Sequence, residues 1–80
     1  MENKYHSKGK AWDFEVFIDP VDCHGYFEHN SLGDILAGTL TVSRNDDGEL
    51  LLCDFDGTHS LPSKVREELI KMGIRIADAI

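Results

Sequence analysis

The sequence predicts an α+β fold: a small antiparallel β-sheet of three or four strands with one C-terminal α-helix packed on one face. Three observations carry this. Residues 12–19 and 38–43 alternate apolar and polar side chains with the period of a half-buried strand. A turn-forming cluster, Arg44-Asn45-Asp46-Asp47-Gly48, separates the second run from an apolar segment over 49–55. One stretch near the C-terminus repeats its apolar residues at helical spacing.

Residues 1–10 are polar and aperiodic, and are expected to form a flexible arm ahead of a single domain over 11–80. In the first strand Trp12, Phe14, Val16 and Ile18 share one face and Asp13, Glu15, Phe17 and Asp19 the other; Pro20, which has no N–H to give to a ladder, ends it. Residues 20–35 read as a turn-rich connection. Gly25 and the 30–34 segment favour turns on either side of Tyr26–His29, which is a short strand; Tyr26, Phe27 and His29 read as a lid over the core, the alternative being a recognition loop. The hairpin 38–43/49–55 places Leu40 and Val42 inward and Thr39, Thr41 and Ser43 outward.

The helix is expected over about 61–72. Ser60 or Ser63 supplies its cap, and Pro62 suits the first turn. Leu61, Val65, Leu69 and Met72 form the buried stripe, and Glu67 precedes Lys71 by four residues. Gly73 is placed to end the helix, with Ile74 packing back on the last turn. Residues 74–80 form either a final strand or a tail.

The second hairpin strand is apolar on both parities: Leu51, Cys53 and Phe55 on one, Leu50 and Leu52 on the other. One helix covers one face only. The other face is covered by the 20–35 connection, or it is an exposed patch for a partner or a second copy.

The bulk numbers exclude several classes. At 41% hydrophobic the chain carries too much apolar material for a disordered protein. No apolar run approaches the roughly 20 residues of a membrane span, and the N-terminal residues lack a secretory h-region. The expected compartment is therefore the cytoplasm, where Cys23 and Cys53 stay reduced. The net charge of −7 is unevenly spread: residues 13–56 hold eleven acids against Arg44 alone, while both flanks are slightly basic. An acidic body repels nucleic-acid phosphates, so direct DNA or RNA binding is not expected, and no membrane partner is; the acidity serves solubility, or a basic protein partner or a metal ion.

"DFDGT", residues 54–58, resembles motif I of the haloacid dehalogenase superfamily of phosphatases and phosphotransferases. The resemblance implies Asp54 as nucleophile, Asp56 as acid/base, a Mg²⁺ ion, and Gly57 and Thr58 as the shaping turn. It covers five residues and the apolar run before them. The family's remaining motifs lie on later strands of a parallel sheet. The 22 residues after Thr58 are expected to be too few for a crossover of about 30 residues. The expectation is a strand end and a turn, with Asp54 and Asp56 as weak metal candidates.

Cys23, His24, His29, Cys53 and His59 are zinc-ligating types, but no two have the spacing by which one turn presents two ligands. Cys53 reads as a core residue and Cys23 as an incidental thiol. "NDDG" and "DFDG" lack the further ligands of an EF-hand loop. No catalytic set, cofactor motif or resident metal is expected. The function expected is that of a non-enzymatic interaction or regulatory protein, binding through an acidic, partly apolar sheet, with Asp46, Asp47, Glu49, Leu51, Cys53 and Phe55 as contact residues and a homodimer as a further state. In size and charge the chain is similar to small inhibitors carried by bacterial mobile elements, which would imply acidic mimicry toward a nucleic-acid enzyme. The third reading is a Mg-dependent phosphohydrolase built on Asp54 and Asp56.

Overall fold

The computed structural model describes residues 5–8, 14–31, 34–57, 60–78 and 80. Trp12, Asp13, Thr58 and His59, named above, lie outside them. The elements are β1 (His6–Lys8), β2 (Glu15–Asp19), β3 (His24–Ser31), β4 (Asp34–Arg44), β5 (Leu50–Gly57), α1 (Ser63–Lys71) and β6 (Arg75–Ile76). They form an α+β fold with the strands in sequence order across one curled sheet. Neighbours β1 to β5 are antiparallel; β6, reached through α1, is parallel to β5.

Six strands replace the expected three or four, for identifiable reasons. The arm contains a strand: His6–Lys8 pairs with Glu15–Phe17. The "turn-rich" connection is mostly β3, which pairs along its whole length with β4. Its alternation was hidden by Gly25, which sits inside the strand and makes no turn. A Cβ there would come within 1.9 Å of the Phe17 carbonyl oxygen, so β2 and β3 approach closely only because the residue is glycine. The third is β6, which settles residues 74–80 on the first of their two expected forms, a final strand, though only over Arg75–Ile76.

The inward face of the sheet carries Phe14, Val16, Ile18, Phe27, Leu40, Val42, Leu50 and Leu52, all buried. α1 closes over it with Val65 and Leu69, assisted by Leu61 and Ile74. Removing Leu69 down to alanine would cost about 2–5 kcal/mol through lost burial and the cavity left behind. The helix also ties the two ends of the curled sheet together. Ser7 Oγ of β1 donates to Glu68 at 2.8 Å, and the residues after the helix lead directly into β6.

The helix ends as expected. Gly73 has φ +87°, Gly73 N–H bonds the Ile70 carbonyl and Ile74 N–H the Leu69 carbonyl, which is the Schellman pattern that needs a left-handed residue. Its start differs. Pro62 is the N-cap, at φ −62° and ψ 142°, and no side chain caps the first turn, so Ser60 and Ser63 do not serve that role. Glu68, not Glu67, pairs with Lys71, at 3.5 Å.

The hairpin forms at the expected place but over longer strands: β4 has 11 residues and begins at Asp34, inside the expected connection, and β5 runs on to Gly57. Its turn is organised by Asn45: Oδ1 accepts the N–H groups of Asp47 and Glu49, and Gly48 N–H bonds the Asn45 carbonyl. The Asp19 carboxylate plays a similar part between β2 and β3, accepting from Val21 N–H at 2.9 Å and Asp22 N–H at 3.2 Å. No helix among the described residues is long and apolar enough to cross a membrane.

Candidate functional site

Among the described residues a single helix covers one side of the sheet and none covers the other, the open face. Antiparallel register fixes which side chains share it, because directly paired residues point the same way. From β1 to β5 the open face presents His6 and Lys8, then Glu15, Phe17 and Asp19, then His24, Tyr26 and Glu28, then Ile35, Thr39 and Thr41, then Leu51, Asp54 and Asp56.

The last three positions depend on an irregularity. Leu52 pairs with Val42 and Asp54 with Thr41, so Cys53 is an extra residue and β5 bulges there. A bulge of one residue reverses the parity of everything beyond it. Leu50, Leu52 and Phe55 therefore face the core side, and Leu51, Asp54 and Asp56 face the open side. The expected grouping of Leu51, Cys53 and Phe55 on one face is thereby corrected. Cys53 is exposed, not a core residue; its thiol reaches the Thr41 carbonyl at 3.4 Å. Both cysteines are free thiols.

The centre of the open face is a bonded cluster. Glu15 accepts from Tyr26 Oη at 2.9 Å through one carboxylate oxygen and contacts His6 Nε2 at 2.7 Å through the other. The rings form a row across β1, β2 and β3. His6 meets Phe17 edge-on with centroids 5.6 Å apart, and Phe17 lies 5.6 Å from Tyr26 at a 38° tilt. The hydrogen bonds from His6 and then Tyr26 hold the Glu15 carboxyl below its ordinary value of 4.5. Donation to the Glu15 carboxylate raises Tyr26 above 10.0. Nearby, N–H donation from Asp22 and then Val21 lowers Asp19. Tyr26 nevertheless keeps 39% of its surface exposed. The cluster is thus a fixed, wet platform: aromatic in the middle and acidic at the rim, with Glu28, Asp54 and Asp56 beside it.

The expected contact residues do not share one surface. Asp46, Asp47 and Glu49 belong to the turn at the end of the hairpin. Leu51 is half-buried on the open face, Cys53 sits in the bulge, and Phe55 packs against the core cluster. Leu51 also lines an open cleft of about 380 Å³ with Ser43, Asn45, Arg75, Ile76 and Asp78. What the sequence reading missed is the His6–Glu15–Tyr26 cluster. The readable signal was Phe17: an aromatic residue on the polar face of an alternating strand.

The catalytic and metal readings gain no support from placement. Asp54 and Asp56 lie within β5 and not on a loop, opposite Thr41 and Thr39 of the antiparallel neighbour β4, just past the Leu51–Leu52 segment that pairs in parallel with β6. One expectation is overturned: β5, α1 and β6 do form a parallel crossover, completed between residues 50 and 76, so the remaining chain was long enough for one. Of the zinc-ligating types, His24 lies on the open face, His29 packs edge-on against Phe14 on the core side, and Cys23 sits in the turn between β2 and β3 at φ +60°. Among the described residues no group of three or more His, Cys, Asp or Glu is placed to hold a metal ion. No family model, no curated protein and no solved structure matches the chain.

Proposed function

We propose that this chain is a non-enzymatic interaction module that engages a protein partner through the open face of its sheet. The observation that carries the reading is the row His6–Phe17–Tyr26, held in place by Glu15 and left uncovered by the helix. Pre-ordered aromatic rings contribute contact area to an interface at low entropic cost, and the surrounding carboxylates favour a partner of opposite charge. The same rim supports a second reading, acidic mimicry toward a nucleic-acid-binding enzyme, since Glu28 on β3 and Asp54 and Asp56 on β5 offer carboxylates on one face of the sheet.

The test is affinity capture from native lysate with three baits: wild type, Tyr26→Arg on the open face, and Ile70→Arg on the exposed side of the helix. A protein retained by wild type and Ile70→Arg but lost from Tyr26→Arg supports the reading. Identical capture by all three, or none by any, overturns it. Release of the captured protein by DNA would favour the mimicry reading over a general basic partner.

A further inference from the structure

The sheet has an unfinished edge. β5 runs from Leu50 to Gly57, but β6 pairs only with Leu51 and Leu52, and Ala77 N–H adds one bond to the Leu52 carbonyl. The chain then turns away: Ile80 N–H bonds the Ala77 carbonyl, and Arg66 reaches the Ile80 carbonyl from the helix. Among the described residues no strand lies beside Cys53–Gly57 on the side away from β4. In a paired strand, alternate residues direct their N–H and C=O toward one neighbour only, so this segment offers main-chain donors and acceptors outward. Cys53, Asp54, Asp56 and Gly57 are all exposed.

The side chains say what kind of strand fits. Asp54 and Asp56 project on the open face, and neither side chain has a hydrogen bond or ion pair among the described residues. Phe55 projects on the other side and packs at the margin of the core. A second copy is a poor occupant: pairing antiparallel about Phe55 would set Asp54 against the other copy's Asp56, and like charges directly opposite destabilise a ladder. A strand with lysine or arginine at alternate positions and apolar residues between them matches both sides. We infer that β5 accepts, along Cys53–Gly57, an extended basic-apolar segment of a partner protein, which extends the sheet by strand addition. This rests on the interaction reading above and names the chemistry of its partner.

The probe is a blocked peptide alternating lysine and valine, titrated into the isotope-labelled full chain. Expected are slowed amide exchange and shifted resonances at Cys53–Gly57. The Asp54→Asn/Asp56→Asn variant should weaken binding about fivefold, as should a rise from about 0.05 to about 0.5 M salt. Asp22→Asn/Asp34→Asn, which makes the same change in charge at exposed positions away from β5, should leave binding within about twofold. No binding, shifts confined to Phe17 and Tyr26, or equal losses in the two charge variants would each overturn the inference. So would protection of Cys53–Gly57 that grows with protein concentration and no peptide, since a second copy would then be the occupant. The two readings fail separately. A partner captured through Tyr26 but indifferent to Asp54→Asn/Asp56→Asn removes strand addition and leaves the interaction module standing.

Discussion

Glu15 illustrates how much one side chain organises here. It joins β1 to β2 through His6 and β2 to β3 through Tyr26, from the solvent side. Its carboxyl is held below the ordinary value, first by His6 and then by Tyr26. A carboxylate lowered by folding contributes stability that is complete above its unfolded-state value and is lost as pH falls through the folded-state value. Glu15→Gln should therefore flatten the acid limb of the stability curve. Urea unfolding between about pH 6 and about pH 3 measures this, and wild type and variant should converge at the acid end. A difference that persists unchanged to low pH would contradict it. None of this was legible in the sequence, because His6, Glu15 and Tyr26 are nine and eleven residues apart and meet only through the register of three strands. The core residues were legible for the opposite reason. Val16, Ile18, Leu40 and Val42 announce their burial by local alternation alone.

At the scale of elements, the parts that local chemistry dictates were readable: the hairpin through Asn45 and Gly48, and the end of the helix through Gly73. The parts that depended on one neighbour were not. Gly25 reads as a turn residue until β2 is seen pressed against it. Cys53 reads as core until the bulge is counted. The helix start is the weakest join. Its first turn has no side-chain cap and no acidic residue, so the partial positive charge there is left to solvent. Ser63 is exposed in that turn, and Ser63→Glu should raise stability by about 0.5 kcal/mol. Chemical denaturation reads the gain, and most of it should vanish near 1 M salt, roughly, where the charge is screened. A gain indifferent to salt would assign it to helix propensity instead.

For the molecule as a whole, charge and sheet architecture act against each other. The open face gathers Glu15, Asp19, Glu28, Asp54 and Asp56 from β2, β3 and β5, so folding brings to one face acids that are spread along the sequence. Self-repulsion of this kind destabilises a compact state and is relieved by salt. The thermal midpoint should rise by about 2–5 °C between low and near-molar salt, followed by circular dichroism. A fall would show that ion pairs such as Glu68–Lys71 outweigh the repulsion. The expected class, α+β with a C-terminal helix, was legible because a period of two gives way to a period near four once along the chain. The number of strands was not, since β1 is defined only by what it lies beside, and the sequence left β6 open between a strand and a tail.

The contact between Ser7 and Glu68 spans 61 positions of sequence. Every ladder from β1 to β5, by contrast, joins consecutive strands, so each forms by closing a short loop. The cost of loop closure grows with length and must be met before a distant contact can return anything. The chain is thus built to assemble in order: neighbouring hairpins zip first, and the clasp closes last, when the helix meets the first strand. Weakening that clasp, as Ser7→Ala would, should hasten unfolding far more than it slows folding.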